Sequence, residues 1–388
     1  MHPLKIFVIA GEASGDVLGG AILQALSHHT DRSLDIRGIG GDAMKEAGLK
    51  GSLVIMRDLA VMGIAEVLPK IPFLLRTISR TVRAAEEFKP DLVLSIDAPD
   101  LSFRIQKKLR ARGNFRGKQI HVVAPSVWAW RPDRARHIAG FLDGLICFFP
   151  FEPPYFTAHD LPAIHMGHPA INTPIAWADP APLRRALDLG EDTPVVGMYL
   201  GSRAGSVERH AETFIEAINI LARGCPGMRV LVPTFPAYAD RVRTLCAGLT
   251  VRHHIMTDPL LKPVAMRACD AALAVSGTVG LELAIANVPH VVGYRMSGLT
   301  HFIARRMVKK GQFAHLANIV LNKMVVPECV QEDCTPDRLA QALSPMIWNE
   351  EMRAAQRVAF ADVRRLIGAE DQQKPADKAA EFILSCIG

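Results

Sequence analysis

Several features are missing from this 388-residue chain, and each absence excludes a type of protein. No segment reaches the ~18 uninterrupted apolar residues that a membrane-spanning helix requires. The seven cysteines are odd in number and scattered, without a C-x-x-C pair, which indicates reduced thiols rather than disulfides or a zinc site. Neither a G-x-x-x-x-G-K-[ST] loop nor a D-x-D pair occurs, so we expect no P-loop, no carboxylate-bound metal and no cofactor.

The composition is that of an ordinary globular protein, with 49% hydrophobic and 22% charged residues. A net charge of +6 favours anionic partners such as a membrane surface, a phosphorylated ligand or nucleic acid. Nucleic acid is the weaker interpretation, because no interleaved aromatic residues and no known binding module accompany the basic clusters. The apolar run Leu4–Ala10 is too short for a secretory signal, so we interpret it as the first strand of a cytosolic protein.

Strand-like and helix-like segments alternate along the chain, which predicts an α/β fold with parallel sheets. We expect two Rossmann-like domains that face one another, 1–170 and 171–350, with the site in the cleft between them. Helices in 351–388 are expected to return to the first domain or to swap onto a partner chain. The predicted strands are Leu4–Ala10, Asp35–Ile39, Leu92–Ile96, Ile120–Ala124, Gly144–Phe148, Val195–Leu200, Arg229–Val232, Ala271–Val275 and His290–Gly293.

An acidic turn, Gly11–Asp16, follows the first strand and is expected at the carboxyl end of its sheet, where such folds bind ligands. Glu12 and Asp16 are acidic where a phosphate site would be neutral or basic, so the turn suits sugar hydroxyls better. Ser14 or Asp16 could also cap the helix that follows.

Two more carboxylates, Asp97 and Asp100, follow the buried strand Leu92–Ile96 on a turn stiffened by Pro99. One of them could act as a general base toward an alcohol. In the alternative interpretation one of them caps the next helix, and the two roles are compatible.

The best phosphate-binding candidate is the loop Ser276–Glu282, which follows a predicted strand and opens a helix. Backbone N–H groups from Gly277 to Gly280, Thr278 among them, would face a phosphate at the positive end of the helix dipole. Glu282, one turn further, could accept a pair of ribose hydroxyls. The alternative is that Ser276 only caps the helix and Glu282 is its charged first turn.

A second anion-binding candidate is Gly201-Ser202-Arg203, after the strand Val195–Leu200. A guanidinium can form two parallel hydrogen bonds to phosphate oxygens, so Arg203 suits a diphosphate. An ordinary surface arginine is the alternative.

The longest apolar stretch is Val61–Leu75, where Glu66 and Lys70 interrupt the apolar pattern and Pro69 and Pro72 are expected to break the helix. It is interpreted either as a helix entering the core or as a surface that docks on a membrane or admits an acyl chain.

Taken together, these residues resemble the lipid-A-disaccharide synthases, glycosyltransferases of Gram-negative outer-membrane biogenesis with the GT-B fold. The resemblance covers nearly the whole chain and rests on several motifs in a fixed order. The motifs are Gly11–Asp16, Val61-Met62-Gly63 to Leu68, Ser95–Asp100, Pro125–Trp130, Gly167-His168-Pro169, Gly201–Arg203, Ser276–Glu282, Asn318-Ile319 and Val326-Pro327-Glu328 with Gln331.

The resemblance implies a defined reaction. UDP-2,3-diacylglucosamine would react with 2,3-diacylglucosamine 1-phosphate to give a β-1,6-linked disaccharide 1-phosphate and UDP. Inversion at the sugar would need one base and no covalent enzyme intermediate. Because both substrates carry acyl chains, it also implies peripheral contact with the inner leaflet of the inner membrane.

The resemblance also assigns roles to residues. Asp100 would be the base on the acceptor 6-hydroxyl, with Asp97 as its competitor, and Asn318 would lie near the diphosphate or glucosamine. Arg203 and the loop Ser276–Glu282 would hold UDP.

The chain departs from the family pattern at two loops. Tyr199-Leu200 stands where the family has Leu-Pro before Gly-Ser-Arg, and Ala317 replaces the proline before Asn318. An acidic residue expected shortly after Arg203 is replaced around Ser206, with Glu208 close by. We expect altered affinity rather than lost chemistry.

Two other functions compete with this one. The first is a related UDP-sugar enzyme, such as a UDP-N-acetylglucosamine epimerase or a muramyl-pathway transferase, whose N-terminal loops differ from Glu12–Asp16. The second is a non-catalytic lipid- or nucleotide-binding protein on the same fold, which would have no reason to keep the acidic residues of the first domain.

Overall fold

The chain forms two compact units, Met1–Pro169 together with Asp371–Gly388, and Ala170–Glu370. The computed structural model describes residues 2–59, 64–113, 115–130, 133–296 and 313–388. Its strands are β1 Leu4–Ala10, β2 Leu34–Ile39, β3 Leu49–Ser52, β4 Leu92–Ile96, β5 Lys118–Val122, β6 Gly144–Cys147, β7 Ala163–His165, β8 Val195–Tyr199, β9 Arg229–Pro233, β10 His253–Met256, β11 Ala271–Val275, β12 His290–Tyr294 and β13 Glu328–Val330.

Helices connect most of these strands and follow the last one. They are α1 Ala13–His29, α2 Asp42–Glu46, α3 Ile64–Phe88, α4 Pro99–Ala111, α5 Val127–Trp130, α6 Arg134–Ala139, α7 Pro153–Thr157, α8 Ala181–Ala186, α9 Ala204–Arg223, α10 Ala239–Cys246, α11 Lys262–Arg267, α12 Thr278–Ile285, α13 Leu316–Leu321, α14 Pro336–Trp348, α15 Glu350–Leu366 and α16 Pro375–Ile387.

Each unit is built on one parallel sheet. The strand order is β3-β2-β1-β4-β5-β6-β7 in the first unit and β10-β9-β8-β11-β12-β13 in the second. All neighbouring strands in both sheets run parallel. The prediction of two Rossmann-like domains with parallel sheets is therefore confirmed.

The sheet of the first unit is covered on both faces, which explains why its central strands β1 and β4 are mostly apolar. On one face Ile6 and Val8 pack with Ile22 of α1 and Ile383 of α16. On the other face Phe7 packs in a cluster with residues of α3 and α4. In the second unit, apolar residues of α9 and α14 pack on the sheet in the same way.

The C-terminal segment 351–388 is divided between the two units. Helix α15 belongs to the second unit, whereas residues 371–388 belong to the first. Helix α16 packs on α1 of its own chain, and His29 lies 3.2 Å from Asp377 at that contact.

One helix is longer than expected, because α3 runs through both Pro69 and Pro72. The prediction that these prolines break the helix is wrong. Proline keeps a helical φ and costs chiefly a hydrogen bond and local crowding. Residues Ile71, Phe73 and Leu75 are 38–48% exposed, so this part of α3 is not enclosed by the core. Residues 61–63 of the apolar stretch lie outside the described residues.

Among the described residues, no helix is long and apolar enough to cross a membrane.

Candidate active site

In the first unit, the acidic loops lie where the strand order of the sheet reverses. Strand β1 is flanked by β2 and β4, so the chain turns to opposite sides after β1 and after β4. Open parallel sheets bind their ligands at the carboxyl ends of such strands. The two loops contact each other, since a Cβ on Gly11 would lie 2.6 Å from that of Ala98. Glycine at position 11 therefore allows the two loops to close on each other.

Asp97 is fixed by its surroundings at the end of β4. Asp97 and Ala98 have φ angles of 54° and 45°, an unusual left-handed pair. The Asp97 carboxylate accepts a hydrogen bond from Ala98 N–H at 2.8 Å and from Ser14 Oγ at 3.4 Å. The hydroxyl of Ser102 donates to the Asp97 carbonyl at 2.9 Å. A half-buried carboxylate is thus oriented at the switch point, beside the acidic turn.

Asp100 lies in the first turn of α4 and is exposed, and neither Asp97 nor Asp100 is the N-cap residue of that helix. The structure brings Glu12, Ser14, Asp97 and Asp100 to one edge of the sheet, as predicted from their position after β1 and β4. Glu12 is half-buried and precedes α1, whereas Ser14 is exposed.

Asp16 has a different role from the predicted one. It is 5% exposed and does not cap its own helix, α1. Its oxygens accept the N–H groups of Gly41 at 2.6 Å, Ala43 at 3.0 Å and Met44 at 3.2 Å. The carboxylate therefore caps the N-terminus of α2, and the expected orientation toward a substrate is corrected to a structural one.

A buried glutamate that sequence analysis missed supports the neighbouring loops. Glu152 is 3% exposed and accepts hydrogen bonds from Phe148 N–H, Phe149 N–H and the indole of Trp128, at 3.0–3.3 Å. Burial raises its pKa to about 7, although the three donors favour the charged form. Glu152 links the segment Pro125–Trp130 to the loop after β6; in the sequence it lies in an apolar, proline-rich loop and gave no signal.

In the second unit, the two predicted anion-binding loops also meet at a switch point. Strand β8 is flanked by β9 and β11, and the loops after β8 and β11 carry Gly201–Arg203 and Ser276–Gly280. Gly201 has a φ of +100°, and a Cβ there would lie 2.5 Å from Ser206 Oγ. That hydroxyl donates to the Leu200 carbonyl at 2.9 Å and closes the loop. Arg203 is the N-cap residue of α9 and is exposed.

The departures near Arg203 have structural roles. Ser206 holds the loop as described above. Glu208 pairs with Arg241 through two hydrogen bonds of 2.5 and 2.6 Å, so it points to a neighbouring helix, α10. Ser206 therefore stabilises the loop, whereas Glu208 is paired with Arg241 on another helix.

Helix α12 begins at Thr278, with Gly277 as its N-cap at a φ of +149°. The alternative in which Ser276 caps this helix is wrong, because its hydroxyl donates to the Ala314 carbonyl at 2.9 Å instead. Gly277 and Thr278 are exposed, so the first N–H groups of the helix are open to a ligand. Glu282 follows one turn later, and Lys262 Nζ donates to its Oε2 at 2.6 Å.

A buried histidine pair supports the start of α12. A Cβ on Gly280 would lie 2.3 Å from His315 Nε2, so the helix touches this ring directly. His315 Nε2 is 2.9 Å from His290 Nε2, and His290 Nδ1 is 2.8 Å from the Val288 carbonyl. Burial lowers the pKa of His290 to about 4 and that of His315 well below its ordinary value. His290 Nδ1 donates to the Val288 carbonyl, so His290 Nε2 accepts the one proton between the two rings, which His315 Nε2 donates. Both rings are neutral at pH 7.

Asn318 is also corrected. Its side chain is fully buried, and its amide donates to Val326 O and Glu328 Oε1 and accepts from the N–H groups of Val325 and Val326. The predicted contact of this side chain with the diphosphate or glucosamine is not available in this arrangement. Glu328 in turn accepts the N–H groups at residues 314 and 315, so the network holds the segment that Ser276 contacts.

No group of three or more histidine, cysteine, aspartate or glutamate side chains in the described part of the chain could hold a metal ion.

The fold is shared with solved structures of a putative epimerase and of a glycosyltransferase. A putative UDP-N-acetylglucosamine 2-epimerase from Listeria monocytogenes superposes with a TM-score of 0.63 at 15% identity, covering 99% of this chain and 96% of that one. A glycosyltransferase from Rickettsia africae superposes with a TM-score of 0.58 at 14% identity, covering 100% and 98%. The fold and its two switch-point sites thus define a GT-B-like protein of two Rossmann-like units.

Sequence comparison identifies the family. The family model for lipid-A-disaccharide synthetase matches residues 6–382. A lipid-A-disaccharide synthase of Rhodospirillum centenum is 42% identical over 387 residues, covering 100% of this chain and 96% of the relative. Another from Pseudomonas aeruginosa is 36% identical, covering 99% and 98%. The chain belongs to the lipid-A-disaccharide synthetase family, as its sequence motifs predicted.

Proposed function

We propose that this protein is an inverting hexosyltransferase of lipid A biosynthesis. It transfers 2,3-diacylglucosamine from UDP to the 6-hydroxyl of 2,3-diacylglucosamine 1-phosphate, and releases UDP. The observation that carries the proposal is the family match over residues 6–382, which includes the loops at both switch points. An epimerase-like activity is suggested by the fold alone, at 15% identity to the Listeria monocytogenes epimerase structure.

The second unit binds the donor in this proposal. The exposed Arg203 and the first N–H groups of α12 at Gly277 and Thr278 lie on loops at the same switch point. Both are suited to the negative charge that grows on UDP as it leaves. Glu282 would accept the ribose hydroxyls, and Ser276 would hold the loop through its bond to Ala314.

The first unit supplies the base, and its geometry favours Asp97 over Asp100. Asp97 is half-buried, held by Ala98 and Ser14, and stands on a strained backbone, which is a frequent feature of functional residues. Asp100 is exposed on the first turn of a helix. Glu12 and Ser14 lie beside Asp97 and would orient acceptor hydroxyls.

The reaction is one displacement at the anomeric carbon. The acceptor oxygen forms the new bond while the bond to UDP breaks, and UDP takes the electron pair. The base accepts the proton of the attacking hydroxyl. Inversion follows, since the α-linked donor gives a β-linked product, and no sugar is attached to the enzyme at any stage.

Helix α3 is proposed to contact the membrane surface. Ile71, Phe73 and Leu75 are exposed on it, and Arg76 and Arg80 follow on the exposed side. Apolar residues next to cations suit peripheral binding to the inner leaflet, which carries anionic lipid. Co-sedimentation with anionic vesicles tests this, and equal recovery with and without vesicles would contradict it.

A homodimer formed by exchange of the C-terminal helix is a separate proposal. The contact between α16 and α1 could form between two chains as well as within one. Light scattering of the purified protein decides between the two, since a monomeric mass rules out the exchange.

The function is tested with purified protein, UDP-2,3-diacylglucosamine and 2,3-diacylglucosamine 1-phosphate, with the product read by mass spectrometry. We expect the disaccharide 1-phosphate and UDP, with a rate that EDTA does not change. If the protein converts UDP-N-acetylglucosamine to its epimer and forms no disaccharide from the diacylated substrates, the epimerase function is supported. Saturable UDP binding without turnover of either substrate would support a binding protein.

The base is tested by two matched variants. Asp97→Asn should lower kcat by at least about 100-fold, in the usual range for loss of a general base, and leave UDP binding unchanged. Asp100→Asn should retain most of the activity. If Asp100→Asn loses activity and Asp97→Asn retains it, Asp100 is the general base instead.

A further inference from the structure

Lys262 is a residue that neither the sequence motifs nor the proposed reaction uses. It is the first residue of α11, and its ammonium donates to Glu282 Oε2 on α12 at 2.6 Å. The two side chains are 35% and 21% exposed, so the pair is partly shielded from water. Among the described residues, no other side chain or amide donates to the Glu282 carboxylate.

The pairing has a chemical consequence for Glu282. A carboxylate that accepts ribose hydroxyls must be ionised and must point its free oxygen at the sugar. An ammonium is a donor only, so it occupies one oxygen of the carboxylate. The other oxygen is then held in a defined direction, and less rotamer freedom is lost when the ribose binds.

We propose that Lys262 is a positioning residue for recognition of the nucleotide ribose, acting through Glu282. The inference rests on the proposed role of Glu282 in UDP binding. A solely structural ion pair would tie α11 to α12 and affect all nucleotides equally. In the proposed role, loss of the Lys262 ammonium weakens the binding only of nucleotides that carry ribose hydroxyls.

The test compares two probes, UDP and its 2′,3′-dideoxy analogue, by calorimetric titration of the full-length protein. The wild type should bind UDP about 10-fold more tightly than the analogue, because a hydrogen bond to a charged group is lost. Lys262→Met should weaken UDP binding about 5- to 10-fold, leave the analogue unchanged and thus remove the discrimination. Lys262→Arg should retain part of the discrimination between the two probes. The control variant Lys323→Met, at an exposed position, should bind both probes as the wild type does.

Glu282→Gln separates this inference from the proposed function. If it keeps the discrimination between the two probes, the ribose role of Glu282 is wrong. If it removes the discrimination and Lys262→Met keeps it, Lys262 is not a positioning residue. Equal weakening of both probes by Lys262→Met would also overturn the inference, and Lys262→Arg provides the same comparison should the methionine variant fold poorly.

Discussion

Substitution of Asp16 tests most directly whether a carboxylate of the acidic turn has a structural role or binds substrate. In Asp16→Asn one oxygen becomes an NH₂ group, which cannot accept a hydrogen bond. The carboxylate now accepts Gly41 and Met44 through Oδ1 and Ala43 through Oδ2. An asparagine that keeps the first two bonds places its NH₂ against the Ala43 N–H. Gly41 lets its backbone approach the carboxylate this closely, since a Cβ there would lie 2.5 Å from Asp16 Oδ2.

The expected cost follows from these bonds. A hydrogen bond to a charged group contributes about 1.5–3 kcal/mol, and a buried donor left without an acceptor costs about 1–3 kcal/mol. The charge opposite the start of α2 is lost as well. We expect the α2 segment to lose about 2–4 kcal/mol of local stability, since these contributions overlap.

Hydrogen exchange at the three amides measures this directly. A loss of about 2–4 kcal/mol corresponds to roughly 30- to 700-fold faster exchange at Gly41, Ala43 and Met44. Asp42→Asn is the matched control, because Asp42 has a 92% exposed side chain and pairs with Lys45. Unchanged exchange at the three amides together with loss of turnover would refute the structural role and support the substrate contact predicted from sequence.

Two further predictions concern the start of α12. Gly280→Ala should raise the Kd for UDP at least about 10-fold and destabilise the protein by about 1–3 kcal/mol, because the added methyl meets the buried His315 ring at 2.3 Å. Gly205→Ala has open space and should retain both properties, whereas normal UDP affinity in Gly280→Ala would contradict the packing argument. The second prediction is a pH dependence, because the pKa of His290 is about 4 in the folded protein against 6.5 when unfolded. The stabilisation by the neutral ring is present above pH 6.5 and is lost as the pH falls toward 4, by about 2 kcal/mol between pH 7.5 and 5. Denaturant unfolding of His290→Asn should show a correspondingly flatter pH profile, and an equal slope would be inconsistent with a neutral His290.

The interior of each sheet was predictable from sequence. Strands β1, β4 and β11 have the predicted bounds, because a central parallel strand is buried on both faces and is therefore mostly apolar. The strands that sequence analysis missed are β3, β7, β10 and β13, which are the edge strands of the two sheets. Each has only three or four residues, most of them incompletely buried, so no long apolar run marks it.

The position of the candidate site was also determined by the sequence, because a glycine-rich turn after a buried strand lies at the carboxyl end of a parallel sheet. The partners of its charged side chains were decided by tertiary structure. Asp16 and Glu12 look alike in the turn, yet Asp16 meets amides 25 to 28 residues away. Glu282 meets Lys262 from a separate helix, and Asn318 is enclosed by the strand that follows it. A carboxylate or amide binds whatever group folding places opposite it, and local sequence does not encode that group.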